Sequence, residues 1–347
     1  MEKEYIGYQP QDFKTEHAPY FNEIILPLAS HAQTALANSP FQPGALPPFS
    51  AANYLESEGY TDLENGYTKN ADGSIHVAVQ TYMPNVTPSM WDWWFGWHGC
   101  QNNRYKLWHP KAHVSAHWED GRDDVAYIGR HSIIKEYIGE ELLEAVIQFK
   151  SPTEFGFSPE TINNPEKAVY ICARLGHPTL PVDYGYLVHQ VRAVTGGSEM
   201  RSRFWLGGQY VNVRKTGVLA ELASDFLRKV RSLPKNFGPD LLKHCSEEMT
   251  HLAAFLPDLY AKFTKNTEGL QIAGNITNQD DPGFDALVMG TLFNKIDPAS
   301  APTWSLNPRA FRILLPPLPM PELPAKKLPF VRAVIVLVPT TCATIVC

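Results

Sequence analysis

Cysteine is sparse and unpatterned in this chain. There are five, Cys100, Cys172, Cys245, Cys342 and Cys347, an odd number with no Cys-x-x-Cys pair. That excludes a disulfide framework and a structural zinc ribbon, which need paired or closely spaced thiols. Charge is thin as well. Charged side chains make up 19%, and 30 Lys and Arg against 36 Asp and Glu leave a formal net charge of -6. Nucleic acid demands a dense basic surface, and an anionic membrane a Lys/Arg-rich amphipathic segment. Neither is present, so no nucleic-acid or membrane partner is expected. The longest apolar run, from Phe330 towards Cys347, is broken by Arg332 and Pro339. It falls short of the roughly 20 apolar residues that span a bilayer. Met1 to Tyr8 are polar and lack the apolar core of a signal peptide. A cytoplasmic location is the resulting expectation.

What is abundant is apolar and aromatic. Across 347 residues the hydrophobic fraction is 44%, enough for one large domain or two modest ones, with 12% aromatic residues and 29 prolines. Residues 1–87 are rich in Pro, Asn, Ser and Gly and read as a smaller N-terminal unit. Within them Pro19 to Leu36 has helical spacing, kinked by Pro27, and Ser74 to Tyr82 alternates as a strand. Residues 88–310 form the expected main domain, and 311–347 a proline-rich tail, extended from Pro316 to Pro329. Strands are predicted at Asp124–Ile138, Leu142–Phe149, Ala168–Leu175, Tyr184–Val194 and Ser202–Val213. A long helix is predicted to begin near Pro239 and stop at Pro257. Antiparallel strands followed by one long helix make an α+β layout, with the helix across a curved sheet.

That helix carries the sharpest motif, His244-Cys-Ser-Glu-Glu-Met-Thr-His251. His244 and Glu248 are four apart and share a helix face, so both can reach one ion. Imidazole plus carboxylate suits Zn²⁺, Mn²⁺ or Fe²⁺. Glu247 and His251 form a second such pair on a neighbouring stripe, either supporting the first or lying solvated. Alone, the pair is weak evidence, because exposed helices often carry one.

A second cluster changes the balance. Trp91-Asp-Trp-Trp-Phe-Gly-Trp-His98 is followed by Arg104-Tyr-Lys-Leu-Trp-His-Pro-Lys-Ala-His-Val-Ser-Ala-His-Trp118. Any one of these histidines is most simply a satisfied core residue. As a set they read as the wall of an aromatic pocket with a ligand in it. In an extended chain Tyr105 and His113 would share a face, although Pro110 interrupts the ladder.

These residues resemble the diacetylphloroglucinol hydrolase and phloretin hydrolase family. The similarity runs from about Trp91 to Tyr260 and is carried by Trp93-Trp-Phe-Gly-Trp-His98, Arg104 to His113, Met200-Arg-Ser-Arg-Phe-Trp-Leu-Gly207, His244-Cys-Ser-Glu-Glu-Met and Phe255-Leu-Pro-Asp-Leu-Tyr260. It implies a Bet v 1-like helix-grip domain, with the N-terminal region used to form a homodimer. It also implies one Zn²⁺ held by two histidines and two glutamates, and hydrolysis of the bond between an acyl group and a polyhydroxylated ring. The substrate would be a small phenolic ketone. On the matching positions, His244 and Glu248 are the helix ligands and His113 the ligand after the aromatic block. The remaining carboxylate is Glu136, in Glu-Tyr-Ile-Gly, or Glu144 in the next strand. Tyr105 matches a tyrosine that binds ring hydroxyls. Two positions depart from the family: Ala116 stands where an asparagine is used, with His117 beside it as a candidate replacement, and Phe204 stands where a second tyrosine falls. Two other readings stay open on the residues, a non-catalytic carrier of an apolar aromatic ligand and a metal-dependent ester or amide hydrolase.

Overall fold

The computed structural model describes residues 4–123, 126–230 and 233–264. Nine strands form one antiparallel sheet: β1 Gly66–Lys69, β2 Ile75–Pro84, β3 His113–Trp118, β4 His131–Ile138, β5 Glu141–Lys150, β6 Ala168–Gly176, β7 Val182–Val194, β8 Gly197–Leu206 and β9 Asn212–Val213. The spatial order is β1-β2-β8-β7-β6-β5-β4-β3, with β9 pairing β7 off this path. Among the described residues seven α-helices accompany it: α1 Ser30–Asn38, α2 Pro88–Trp97, α3 Asn102–Trp108, α4 Pro159–Ile162, α5 Val218–Val230, α6 Phe237–Ala253 and α7 Leu256–Thr264.

Helix α6 packs against β1 and β2 near one end of the strand order and also against β4 near the other. A sheet that meets one helix from both ends must curve around it, which is the expected α+β helix-grip arrangement. The stripe of α6 that faces inward includes Leu241, Leu242, Cys245, Met249 and Leu252, all buried. Strand β6 shows how both faces of the sheet are used. Val169, Ile171, Ala173 and Leu175 enter the main core under α6. Ala168, Tyr170 and Cys172 enter a second core on the opposite face, with Leu55, Phe155 and Trp205. All nine residues of β6 are buried in consequence.

The N-terminal stretch pairs with the rest of the chain through β2. Strand β2 pairs with β8 in unbroken register, from Ile75 opposite Leu206 to Pro84 opposite Gly197, so this segment builds part of the same sheet. The kinked helix expected over Pro19–Leu36 is replaced by a 3-10 turn at Ala18–Tyr20 and by α1, which starts three residues after Pro27. Proline cannot donate the backbone hydrogen bond that a continuous helix needs there. The strand expected over Ser202–Val213 ends at Leu206. Gly207 and Gly208 both take positive φ and turn the chain away, and a Cβ on Gly208 would lie 2.6 Å from the Ser74 nitrogen. The long helix does not stop at Pro257 as expected. It ends at Ala253, and Pro257 occupies the first turn of α7, where its missing N–H costs nothing. The expected tail at 311–347 lies outside the described residues.

Candidate metal centre and active-site pocket

Two structural neighbours bring the ligand set together. On α6, His244 and Glu248 lie one turn apart on the buried side, 5% and 6% exposed. Across the β3–β4 ladder, His113 is the register partner of Glu136. The four side chains converge. His113 Nε2 stands 3.3 Å from Glu136 Oε2 and 3.4 Å from Glu248 Oε2. His244 Nε2 stands 3.7 Å from Glu136 Oε2 and 3.6 Å from Glu248 Oε2. A tetrahedral zinc with bonds of about 2.0–2.2 Å separates its ligand atoms by about 3.3–3.6 Å. Four of the six edges of the cluster match that spacing closely. His113, His244 and Glu248 form the tighter trio, their ligand atoms all within 4.8 Å of one another.

The histidines and carboxylates of the cluster stabilise one another's charged forms. Burial raises the Glu248 carboxyl, but His244 and His113 overcome that and hold it down to about 2. Burial lowers the His113 imidazole, yet Glu136 and Glu248 push it up to about 9. Fully buried, His113 Nε2 nonetheless has no aligned hydrogen-bond partner among the described residues; its carboxylate contacts are ionic in distance only. A buried nitrogen and two carboxylate oxygens that face a shared point without hydrogen-bond alignment fit a divalent ion between them. The surrounding contacts orient the ligands accordingly. His113 Nδ1 lies 2.9 Å from the Tyr105 carbonyl oxygen, which leaves Nε2 as the coordinating nitrogen. The His109 ring lies parallel to His244, with centroids 5.0 Å apart. Its Nε2 lies 3.4 Å from Glu247, which is itself bonded to Lys243.

Tyr105 links the cluster to a pocket. Its ring stacks on His113 at 3.8 Å and 5°, and its hydroxyl donates to Glu136 Oε2 at 2.6 Å. Burial and the Glu136 charge both raise its pKa well above that of an ordinary phenol. The pocket beyond is walled by Phe95, Trp108, Phe149, Leu187, Phe204 and Leu241, with Glu136, His244 and Glu248 in its lining. This wall includes α2 and α3, which bury Trp91, Trp93, Trp94, Phe95, Trp97 and Trp108. Tyr105 thus sits on a helix, not on the extended segment its parity with His113 suggested.

Of the site residues named from the sequence, the structure brings together His113, Glu136, His244, Glu248 and Tyr105. It does not bring in Glu144 or His117. Glu144 is the register partner of Lys135, on the face opposite Glu136; its side chain is 52% exposed and ion-paired to Lys135 at 2.8 Å. A register shift between His113 and Ser115 puts His113 and Ala116 on the inner face and leaves His117 exposed. Glu247 and His251 do not pair with each other: Glu247 meets His109, and His251 is buried edge-on to Phe255. Two pocket residues were not singled out from the sequence, His98 and His189. Burial lowers both imidazoles to about 4, so both are neutral near pH 7. His98 is bonded through Nδ1 to the Trp94 carbonyl, and His189 through Nδ1 to Ser202 Oγ. A histidine on an alternating strand or at a helix end carries no local mark of facing a pocket.

A helix-grip sheet with a buried His–His–carboxylate cluster beside an aromatic pocket has the build of a small-molecule site with a candidate metal centre. Residues 46–261, more than half of the chain, match the model of the DAPG hydrolase PhiG domain, and the chain belongs to that family. It is 28% identical over 283 residues to a 2,4-diacetylphloroglucinol hydrolase of Pseudomonas sp, covering 76% of this chain and 93% of that protein. It is also 28% identical over 273 residues to phloretin hydrolase of Eubacterium ramulus, covering 74% and 93%. Among solved structures, Ara h 8.0201 aligns with a TM-score of 0.34 at 9% identity, over 54% of this chain and 99% of that one. No helix among the described residues is long and apolar enough to cross a membrane.

Proposed function

We propose that this protein is a zinc-dependent hydrolase that cleaves the carbon–carbon bond between an acyl group and a polyhydroxylated aromatic ring. The observation that carries the reading is the convergence of His113, Glu136, His244 and Glu248 at tetrahedral spacing, with the Tyr105 hydroxyl bridging from Glu136 into an aromatic-walled pocket. The relatives named for diacetylphloroglucinol and phloretin point to the substrate class. Two imidazoles and two carboxylates suit zinc.

The reaction breaks one bond and consumes one water. The carbonyl carbon gains the hydroxyl of water and leaves as a carboxylic acid, and the ring carbon gains a proton. A zinc ion held by the four ligands supplies Lewis-acid polarisation of the carbonyl and activation of water. The chain supplies the rest. Phe95, Trp108, Phe149 and Phe204 enclose the ring and exclude solvent from it. The Tyr105 hydroxyl, which donates to Glu136 Oε2 at the edge of the pocket, is well placed to hold a ring hydroxyl and relay a proton to the ring carbon. His98 and His189, neutral near pH 7, are available to meet further hydroxyls.

The test is elemental analysis of purified protein with His244→Ala, followed by a substrate panel of acylphloroglucinols, acylphenols and aryl esters. About one zinc per chain, lost in the variant, with turnover confined to acylated polyhydroxy rings, is the expected result. Turnover of esters alone would replace this reading with an ester hydrolase, and a metal-free wild type that binds phenols without turnover would replace it with a carrier.

A further inference from the structure

The sheet carries a second cavity, back to back with the first. Strands β6 and β7 alternate, so Leu187 faces the metal-side pocket while Arg174 and Tyr186 face a separate space on the other side. This cavity holds about 390 Å³ and lies between the 3-10 segment Phe49–Glu56 and helix α5. That volume suits a small organic molecule.

Its chemistry is set by Arg174, which is only 8% exposed. The guanidinium lies 3.8 Å over the Tyr186 ring. Nη2 donates to the Tyr210 carbonyl at 2.8 Å, and Nε stands 3.4 Å from Asp183 Oδ2. Nη1 is buried and has no hydrogen-bond partner among the described residues. Asp183 does not neutralise it fully, because Oδ1 already accepts from Arg214 Nε at 2.7 Å and from Gln148 at 2.8 Å. A second cation, Arg228, lines the same cavity, held by the Val211 carbonyl and by an exposed Asp225. Ser50, Gln209 and Asn212 supply neutral polar groups, and Pro48, Phe49 and Tyr210 an apolar wall. A desolvated donor left open on a fixed guanidinium is costly unless an acceptor meets it.

We propose that this cavity is a second binding site, for a small monocarboxylate with a flat apolar body. The open Nη1 of Arg174 and the Arg228 guanidinium, which lines the same cavity, are the charged donors that a carboxylate accepts from. Arg174 and Arg214 share the one charge of Asp183, and Arg228 is paired with an exposed Asp225, so one further negative charge is accommodated. The body of the ligand rests on Pro48 and Tyr210. The site is independent of the metal cluster and of the reaction proposed for it.

Calorimetric titration of the full chain with benzoate, benzamide and inorganic phosphate tests this. Benzoate is small enough to enter the aromatic pocket too, so the titration is done in wild type and in His244→Ala. One benzoate site is expected to persist in His244→Ala, to reject benzamide, and to weaken on the order of tenfold or more in Arg174→Gln. Arg174 also holds the Tyr210 carbonyl, so Ser50→Trp serves as a second variant that fills the cavity without touching those bonds; it too must abolish the site. The proposal is overturned if no benzoate site survives in His244→Ala, if the surviving site ignores Arg174→Gln or Ser50→Trp, or if benzamide or phosphate binds there as well as benzoate.

Discussion

The Tyr105 hydroxyl donates a 2.6 Å hydrogen bond to Glu136, while the Tyr105 ring lies flat against His113 and its carbonyl meets His113 Nδ1. One residue therefore touches both β-strand members of the ligand cluster and opens onto the pocket. Its ring and backbone position the ligands, whereas its hydroxyl is the part that can handle a proton. Tyr105→Phe separates the two roles, because it keeps the stacking and the carbonyl. Zinc content should stay at the wild-type value while kcat falls on the order of 100-fold or more. Parallel metal analysis and kinetics check this; near-full turnover in Tyr105→Phe would remove the hydroxyl from the mechanism.

The two candidate glutamates for the fourth ligand position give opposite outcomes. Glu136 reaches both histidines, and Glu144 is exposed beside Lys135. Glu136→Gln and Glu248→Gln should each lose metal and turnover. Glu144→Gln should keep both, and its exposed ion pair with Lys135 should contribute less than about 1 kcal/mol to stability. Loss of zinc from Glu144→Gln would return the fourth ligand to β5.

This contrast also shows where the sequence was readable. His244 and Glu248 declare themselves because a helix of period 3.6 puts residues four apart on one face, and no tertiary knowledge is needed. Strand β7 announces itself by alternation, and β5 and β6 by short apolar runs set between turn residues. Glu136 against Glu144 is different, since both sit in adjacent strands and only the register, Lys135 opposite Glu144, puts them on opposite faces. His117 was misdirected by a single bulge: in a regular strand it would share a face with His113, and the shift near Ser115 gives that face to Ala116. The pairing of β2 with β8 joins residues more than a hundred positions apart, which no local pattern encodes. Dense tryptophan gave composition without period, so helices α2 and α3 were read only as an aromatic wall.

Away from the pocket, Glu64 predicts acid sensitivity. Its carboxylate is bonded to both Arg201 and Arg203, and its side chain is 9% exposed. Burial raises its pKa, but the two arginines overcome this and bring it down to about 2, from the usual 4.5. A carboxyl depressed in the folded state stabilises the fold above pH 4.5, and that contribution is lost as the pH falls towards 2. Its size is about 2–3 kcal/mol. Denaturant titrations from pH 7 to pH 3 should show a loss that is shallower in Glu64→Gln, a variant less stable at pH 7. Parallel curves for the two proteins would mean that the pair is not felt by folding.

Removal of the metal should weaken the fold as well as the chemistry. Without an ion, burial raises the Glu136 carboxyl and the two histidines overcome this to hold it below its usual value, with the Glu248 charge working against them. An ion that binds only the folded chain stabilises it by about 3–4 kcal/mol when present at 100 to 1,000 times its Kd. For a domain of this size that corresponds to a Tm shift of roughly 10 °C. Chelation of the wild type should lower Tm by about that amount, with zinc restoring it, whereas His244→Ala should start low and ignore the chelator. Thermal unfolding of both proteins, with and without chelator, distinguishes the cases. A wild type shown to carry one zinc whose Tm is indifferent to its removal would mean that the four side chains are held in place by their own packing, and that the ion contributes to the reaction without contributing to the fold.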